Sequence, residues 1–238
     1  MQKTLLALSL FVWVTSASAQ KVVYDANAEV RTAKNFHAIK VSGGIDLYLV
    51  NGEEAIAVSA SEPKYRERIK TVVENGILNI WYDYEEKNKV IFTSQRKLKA
   101  YVSFRKLDML SASGGCDIML DGTIKGNSFA LSISGGSDFE GKVSVQDLKI
   151  DQSGGSDIDI SGNANRVVIE ASGGSDFDGY GLVTETCSIE ASGGSDVHIT
   201  VNKDLGAKAS GGSDVLYKGA AAVKENKSGG SVIKKMGR

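Results

Sequence analysis

The sequence is poor in proline, cysteine and aromatic residues. Pro63 is the only proline among 238 residues, there are 2 cysteines, and 7% of the residues are aromatic. Two cysteines exclude a disulfide-dense scaffold. The formal net charge of −1 argues against a nucleic-acid binder built on a basic surface. Hydrophobic residues nevertheless make up 42% of the chain, which is enough for a packed core and excludes wholesale disorder.

Residues 1–19 have the three parts of an export signal. Lys3 supplies the positive charge, an apolar stretch covers residues 5–14, and Ala17-Ser18-Ala19 is an A-x-A cleavage site. The apolar stretch is shorter than the roughly 20 residues that a membrane-spanning helix needs, and no later segment is long and apolar enough. We therefore predict a signal peptide at 1–19 and a mature chain from Gln20 without a transmembrane segment. The protein would be exported to the periplasm, the cell surface or the medium.

Glycine is in excess, and most of it belongs to one repeated motif. There are 27 glycines, and eight copies of S-G-G-x-D account for 16 of them. From the second copy onward the spacing is 18–21 residues, and in the last copy Val232 replaces the aspartate. The copies begin at Ser42, Ser113, Ser134, Ser153, Ser172, Ser192, Ser210 and Ser228. A fixed period of this length is typical of a solenoid.

Apolar and polar residues alternate on both sides of each Gly-Gly pair. The alternation produces two apolar columns, one of Leu110, Leu131, Ile150, Ile169 and Ile189, the other of Ile118, Phe139, Ile158, Phe177, Val197 and Val215. Period-two alternation is typical of strands with one buried face. We therefore predict two short strands per repeat, joined at a corner where glycine supplies positive φ or a close backbone approach.

These repeats predict an all-β fold, a right-handed parallel β-helix or β-solenoid with about 18–21 residues per coil. The regular coils occupy residues 107–238, where seven coils stacked about 4.8 Å apart would form a rod roughly 30 Å long. Residues 20–106 form an irregular, strand-rich part of the same domain (20–238), with a hairpin turn at Asn75-Gly76. Glu225 and Lys227 stand in inward slots of the last copy, which ends the apolar stack and blocks pairing with another rod.

The motif aspartates predict an acidic ladder on one outward face. Like charges about 4.8 Å apart repel by about 0.7–1 kcal/mol per pair at high dielectric, so another interaction must offset the repulsion. We predict that each aspartate accepts backbone N–H bonds at its own Gly-Gly corner. Weak surface calcium binding is the alternative, because calcium prefers carboxylate and carbonyl oxygens. No other cofactor is predicted.

Few residues suggest catalysis. Paired acids such as Asp157 and Asp159 raise the question of a glycosidase, because two carboxylates about 5–10 Å apart can act on a sugar bond. These acids repeat in coil after coil, however, whereas an active site would be one exceptional coil. The only histidines, His37 and His198, have no recognisable catalytic or metal-binding partners and are predicted to be ordinary surface or edge residues.

The two cysteines are predicted to stay unpaired. Cys187 falls in an inward slot, where it behaves as a small hydrophobic residue. Cys116 occupies the variable position of a Gly-Gly corner. The predicted coil positions separate them by about 14–19 Å along the rod, which is too far for a disulfide.

The order of the motifs resembles that of a known family. After the export signal come FHAIKVSGGIDLYL at 36–49, GILNI at 76–80 and LDMLSASGG at 107–115. This order is similar to the head GIN domain family, described as auto-transporter adhesins, and the similarity covers essentially the whole mature chain. It implies a parallel β-helix-like fold and an exported protein of bacteria with two membranes, and it offers no catalytic residues to carry over.

We therefore predict an exported, non-enzymatic β-solenoid that acts by binding, an adhesin of the bacterial cell envelope. Its partner would be a glycan or an envelope protein rather than a nucleic acid. The alternatives are a polysaccharide-active enzyme on the same fold, which a single groove with clustered acids and a basic residue would favour, and a purely structural envelope protein. The expected contact surface is an outward polar strip of Asp138, Asp157, Asp159, Asp176, Asp178, Asp196 and His198.

Overall fold

The computed structural model describes residues 25–84 and 96–237. These residues form a β-solenoid of about seven turns with stacked parallel strands, as the repeats predict. The predicted signal peptide at 1–19 and the predicted mature N-terminus at Gln20 lie outside the described residues. Within the described ranges, no helix has the length and hydrophobicity needed to span a membrane.

The described residues contain one short helix, α1 (Pro63–Arg66), and 17 strands that belong to a single sheet. In chain order the strands are β1 (Glu29–Arg31), β2 (Ala38–Ser42), β3 (Asp46–Asn51), β4 (Ala55–Ser59), β5 (Ile69–Glu74), β6 (Ile77–Tyr82), β7 (Lys99–Phe104), β8 (Met109–Ser113), β9 (Asp117–Asp121), β10 (Ile124–Ser134), β11 (Asp138–Gly154), β12 (Asp157–Gly173), β13 (Asp176–Ala191), β14 (Asp196–Ala209), β15 (Asp214–Lys218), β16 (Ala222–Lys227) and β17 (Val232–Lys235).

The N-terminal strands share the sheet of the regular coils. The coil made of β2 and β3 pairs in parallel with β8 and β9 on one side and with β6 and β7 on the other. The chain therefore adds the β6–β7 coil at the outer end before it returns to β8. Antiparallel strands close this end, because β5 pairs with β6, β4 with β7, and β1 with β4. The hairpin predicted at Asn75-Gly76 joins β5 and β6.

Four of the regular coils, those of β11 to β14, each contain one continuous strand rather than the two short strands that we predicted. The coil of β9 and β10 and the coil of β15 and β16 do contain two strands. Strands β11 and β12 each run for 17 residues from one glycine corner to the next. Midway between corners, Val143 and Val145 are buried and remain paired with the next coil. In these four coils the prediction was wrong because the adjacent coil supplies backbone partners along the whole length, so no loop is needed.

The glycine corners confirm both predicted reasons for the motif. Gly173 has a φ of +82°, and a Cβ atom built there would lie 2.8 Å from the carbonyl oxygen of Gly154 in the preceding coil. Gly193 repeats this arrangement against Gly173, with a φ of +78° and a distance of 2.9 Å. Only glycine adopts this conformation and this spacing without strain.

A column of buried serines lies behind the corners, inside the rod. The fourth motif residue is completely buried in five successive coils, at Ser137, Ser156, Ser175, Ser195 and Ser213. The Ser195 hydroxyl donates to the carbonyls of Ser192 at 3.0 Å and Ala171 at 3.2 Å. The same hydroxyl thus reaches its own corner and the preceding coil.

Apart from Ser59, Gln152 and Thr184, the other buried residues of the described ranges are apolar, and the two predicted columns lie among them. Both cysteines are buried and free, which agrees with the prediction that they do not pair. Cys116 occupies the serine column, and burial raises the pKa of both thiols. Elevated thiol pKa values together with burial make these side chains poor nucleophiles.

Candidate functional site

The predicted site residues lie together on one outward face, just after the glycine corners. The sheet register aligns the motif aspartates into a first column of Asp117, Asp138, Asp157, Asp176, Asp196 and Asp214. Two residues further along each strand, a second column contains Tyr48, Met119, Glu140, Asp159, Asp178, His198 and Leu216. We call these two columns, from Asp138 to Asp214, the acidic face.

The aspartates do not bond to their own corners, so the predicted form of corner capping is wrong. Instead, Asp138 Oδ1 accepts the backbone N–H of Asp157 in the next coil at 3.1 Å. In the following coil, the backbone N–H of Asp176 donates to the carbonyl oxygen of Ser156 at 3.1 Å. The reason is that N–H groups of the corners already donate to the preceding coil, as Gly194 does to the carbonyl oxygen of Gly173 at 2.7 Å.

Burial and repulsion between neighbouring carboxylates raise the pKa of two motif aspartates. Burial, followed by the neighbouring charges of Asp138 and Asp176, raises the pKa of the Asp157 carboxyl. Burial and the charge of Asp117 raise the pKa of Asp46 in the same way. These directions are those expected for carboxylates held next to like charges.

Most carboxylates elsewhere on the regular coils are neutralised by nearby cations. Before the corners, Lys149 Nζ lies 3.4 Å from Asp151 and 3.6 Å from Glu170. Lys208 Nζ lies 2.7 Å from Glu190. No carboxylate of the acidic face makes an ion pair with any residue in the described ranges. The acidic face therefore presents uncompensated negative charge.

The acidic columns do not converge into a chelating cluster. Among residues 25–84 and 96–237, no group of three or more His, Cys, Asp or Glu side chains is arranged to hold a metal ion. Calcium binding along the ladder therefore stays a prediction that rests on the charge of the columns alone.

One coil departs from the repeat at a residue that the sequence reasoning missed. Tyr180 follows Gly179 in a segment of β13 where the register with β14 shifts. Its ring stacks on His198, with centroids 4.9 Å apart and planes inclined by 3°. Lys218 Nζ lies 4.1 Å from the Tyr180 centroid. Two sequence signals mark this coil, namely the Gly179-Tyr180-Gly181 triplet and the 20-residue spacing between the motifs that flank it.

The two histidines have different surroundings. His198 is a surface residue, as predicted, but its ring takes part in the aromatic stack with Tyr180. His37 lies far from it in sequence, at the start of the solenoid, with Nδ1 3.5 Å from an oxygen of Asp108. Neither belongs to a metal-binding group of described residues.

Two open depressions of the described surface lie on the other side of the corners from the acidic face. One of them, of about 310 Å³, runs across several coils and is lined by Asp151, Glu170 and Glu190 together with motif serines such as Ser172. An adjacent one of about 290 Å³ continues past Glu190 to Lys208. Lysines neutralise acids that line these depressions, so the depressions carry less uncompensated negative charge than the acidic face.

Comparison with known proteins identifies the family. A family model described as "Putative auto-transporter adhesin, head GIN domain" matches residues 35–221. This chain belongs to the head GIN domain family. The match confirms the resemblance seen in the motif order. No curated protein sequence matches the chain.

Solved structures share the fold of this head GIN domain protein. A protein of Bacteroides fragilis described as a putative adhesin has a TM-score of 0.79 and 18% identity, covering 88% of this chain and 96% of its own. A putative lipid binding protein of Parabacteroides distasonis has a TM-score of 0.66 and 18% identity, with coverages of 90% and 98%. A putative adhesin of Parabacteroides merdae has a TM-score of 0.64 and 18% identity, with coverages of 88% and 95%. At these identities the similarity shows the fold alone.

Proposed function

We propose that this head GIN domain protein is an exported, non-enzymatic adhesin of the bacterial cell envelope that contacts its partner through the acidic face. Family membership supports a binding role. The observation that carries the proposal is the contrast in charge compensation. Acids such as Asp151 and Glu190 have lysine partners, whereas the carboxylates of the acidic face have no ion-pair partner among the described residues.

Uncompensated carboxylates on a regular surface suit a partner that donates hydrogen bonds. Ionised carboxylates are acceptors only, and each offers about four lone-pair sites. Sugar hydroxyls and the ammonium or guanidinium groups of an envelope protein are matching donors. Nucleic acids and other polyanions are repelled by the same surface. A glycan or an envelope protein is therefore the partner class that the charge favours.

The regularity of the columns supports binding rather than catalysis. Asp138, Asp157 and Asp176 are paired in register, so each successive coil presents a carboxylate at the same position. General acid–base catalysis needs two groups whose environments set their pKa values apart. A repeated contact along the rod instead suits an extended ligand.

The test compares two variants that carry the same change in charge on opposite sides of the corner. The first replaces Asp157, Asp159, Asp176 and Asp178 with asparagine. The control replaces Asp147, Asp151, Glu170 and Glu190 with their amides. Retention of envelope glycans and envelope proteins on the immobilised protein is measured for each variant. We expect the first variant to lose retention and the control to keep it.

Three outcomes contradict the proposal. Equal loss in both variants would mean that net charge, rather than the acidic face, governs retention. No retention by the unmodified protein would favour a purely structural role. Appearance of reducing ends when polysaccharides are incubated with the protein would show an enzyme.

A further inference from the structure

The acidic face carries one local insertion, at residues 180–182. Gly179 pairs with Ile199 in the next coil, but the following pair is Val183 with Thr200. Three residues of β13 thus have no counterpart in β14. Bulges of this kind disrupt the ladder and re-aim side chains, and they are over-represented next to active sites.

Hydrogen bonds hold this insertion in place. The backbone N–H of Tyr180 donates to Asp178 Oδ1 at 3.1 Å. Thr200 Oγ1 donates to the carbonyl oxygen of Tyr180 at 2.9 Å. Both backbone groups of Tyr180 therefore have partners, and the segment that carries the aromatic ring is fixed to its own coil and to the next.

The insertion creates an aromatic and cationic patch within an acidic surface. The parallel stack of Tyr180 on His198 and the approach of Lys218 Nζ to the Tyr180 ring bring three successive coils together. All three side chains are half-buried, so each retains exposed surface. Lys218 makes no ion pair with a residue of the described ranges, and its ammonium keeps its donors available.

We propose that Tyr180, His198 and Lys218 form a carbohydrate-binding site that takes a neutral pyranose ring. The apolar C–H surface of the sugar packs against the aromatic pair, which combines apolar area with polar atoms. Its hydroxyls donate to the carboxylates of Asp178 and Asp196, and Lys218 donates to a sugar oxygen. This inference rests on the proposed function and adds the ligand class and the place where the ligand docks.

The surrounding charge selects a neutral sugar over an acidic one. Asp178 lies in β13 just before the insertion, and Asp196 lies in β14 just before His198. Both belong to the uncompensated acidic face. A uronate or a sulfated sugar would bring a second negative charge next to these carboxylates, and the repulsion would oppose binding. The single ammonium of Lys218 does not offset two columns of acids.

The chain contains a second aromatic pair on the same face that serves as a matched control. Tyr48 stacks on Tyr101 with centroids 5.2 Å apart. The Tyr101 hydroxyl donates to Asp25 Oδ2 at 2.8 Å, which commits that ring to an intramolecular contact. Replacing Tyr48 with alanine therefore removes comparable aromatic surface at a site where we expect no sugar.

Histidine NMR provides a direct readout because the chain has only 2 histidines. The protein is titrated with cellohexaose, laminarihexaose, maltohexaose and chitohexaose as neutral probes, and with hexagalacturonate as the acidic probe. We expect at least one neutral hexasaccharide to shift the imidazole signals of His198 while those of His37 stay in place. Tyr180→Ala should weaken this binding at least tenfold, Tyr180→Phe should retain most of it, and Tyr48→Ala should leave it unchanged.

The inference is overturned if no neutral hexasaccharide shifts the His198 signals, or if hexagalacturonate binds more tightly than the neutral hexasaccharides. It is also overturned if Tyr180→Ala keeps full affinity for the sugar and melts at a temperature similar to that of Tyr48→Ala. If Tyr180→Ala unfolds, the other two titrations test the inference. It is then overturned if Tyr180→Phe loses most of the binding or if Tyr48→Ala weakens it. Failure here is separable from failure of the proposed function. Envelope retention that still depends on the acidic-face carboxylates would leave the adhesin proposal standing and remove only the sugar site.

Discussion

The hydroxyl of Ser213 donates to the carbonyl of Ala191 in the preceding coil at 3.1 Å, and to the carbonyl of Ser210 in its own corner at 2.9 Å. A hydroxyl has one hydrogen, so the two carbonyls share it. The contact recurs at Ser231 with Ala209 and Ser228. Each such serine closes its own corner and joins it to the coil before.

Replacing Ser213 with alanine should lower the free energy of unfolding by about 1–2 kcal/mol, because buried carbonyls lose a donor. Urea denaturation measures the change. Ser175 is the matched control, since its Oγ is buried without a hydrogen-bond partner among the described residues. Ser175→Ala should therefore change stability by less than about 0.5 kcal/mol. Similar losses at both positions would refute the view that the shared hydrogen bond stabilises the corner.

The Gly173→Ala variant should destabilise the rod by about 2–4 kcal/mol, because a Cβ atom there would both strain the backbone and press on the preceding coil. The control is Gly174→Ala, since a Cβ atom at Gly174 meets nothing within 4 Å. We expect Gly174→Ala to change the urea midpoint much less. If the two variants unfold at the same urea concentration, the first glycine of the motif is not required for the close approach to Gly154.

Replacing Asp157 with asparagine should stabilise the protein at pH 7. The pKa of Asp157 is raised above its ordinary value of 3.8, so folding favours the protonated form and stability falls as the pH rises through the interval between the two values. Asparagine imitates the protonated form and removes the repulsion by two neighbours. We expect a gain of about 0.5 kcal/mol, or about 1–2 °C in melting temperature.

The gain at Asp157 should disappear below pH 3.8, where the carboxyl is protonated in both the folded and the unfolded chain. Melting temperatures measured from pH 3 to pH 8 test this dependence. Asp151→Asn is the control, because Lys149 already lies 3.4 Å from that carboxylate and its removal should bring no gain. A gain at Asp157 that persists at pH 3 would point to something other than charge repulsion.

The last coil should associate with other molecules if the exposed charges that continue its inward columns are removed. Glu225 pairs in register with Ala207 and Lys227 with Ala209, and their side chains form an ion pair of 2.9 Å. Strand β16 has β14 as its only partner along this register within the described sheet. Valine at both positions would continue the apolar columns and expose an open edge. We expect dimers or larger species by sedimentation velocity, and a variant that stays in the oligomeric state of the unmodified protein would contradict this.

The repeat made much of the fold predictable before any tertiary information. Because the side-chain period of a strand is two, a glycine corner at a constant position assigned Ile150 and Ile169 to the core and Asp157 and Asp176 to the surface. The Ser42 copy lies in the sheet of the later coils, next to β8 and β9. The serine column was missed, although Ser156 and Ser175 share the inward parity, because a polar residue gives no hydrophobic signal.

Sequence alone determined the coil length, the inward and outward columns and the position of the acidic face, because repetition and alternation fix which residues stack. Tertiary structure alone decided which charges are neutralised and which rings meet. Lys149 neutralises Glu170, and Tyr180 stacks on His198, across neighbouring coils. Such contacts depend on side-chain reach and on a local change of register, and neither follows from the average repeat. The regular coils therefore account for the fold, and the places where cross-coil contacts differ account for the candidate site.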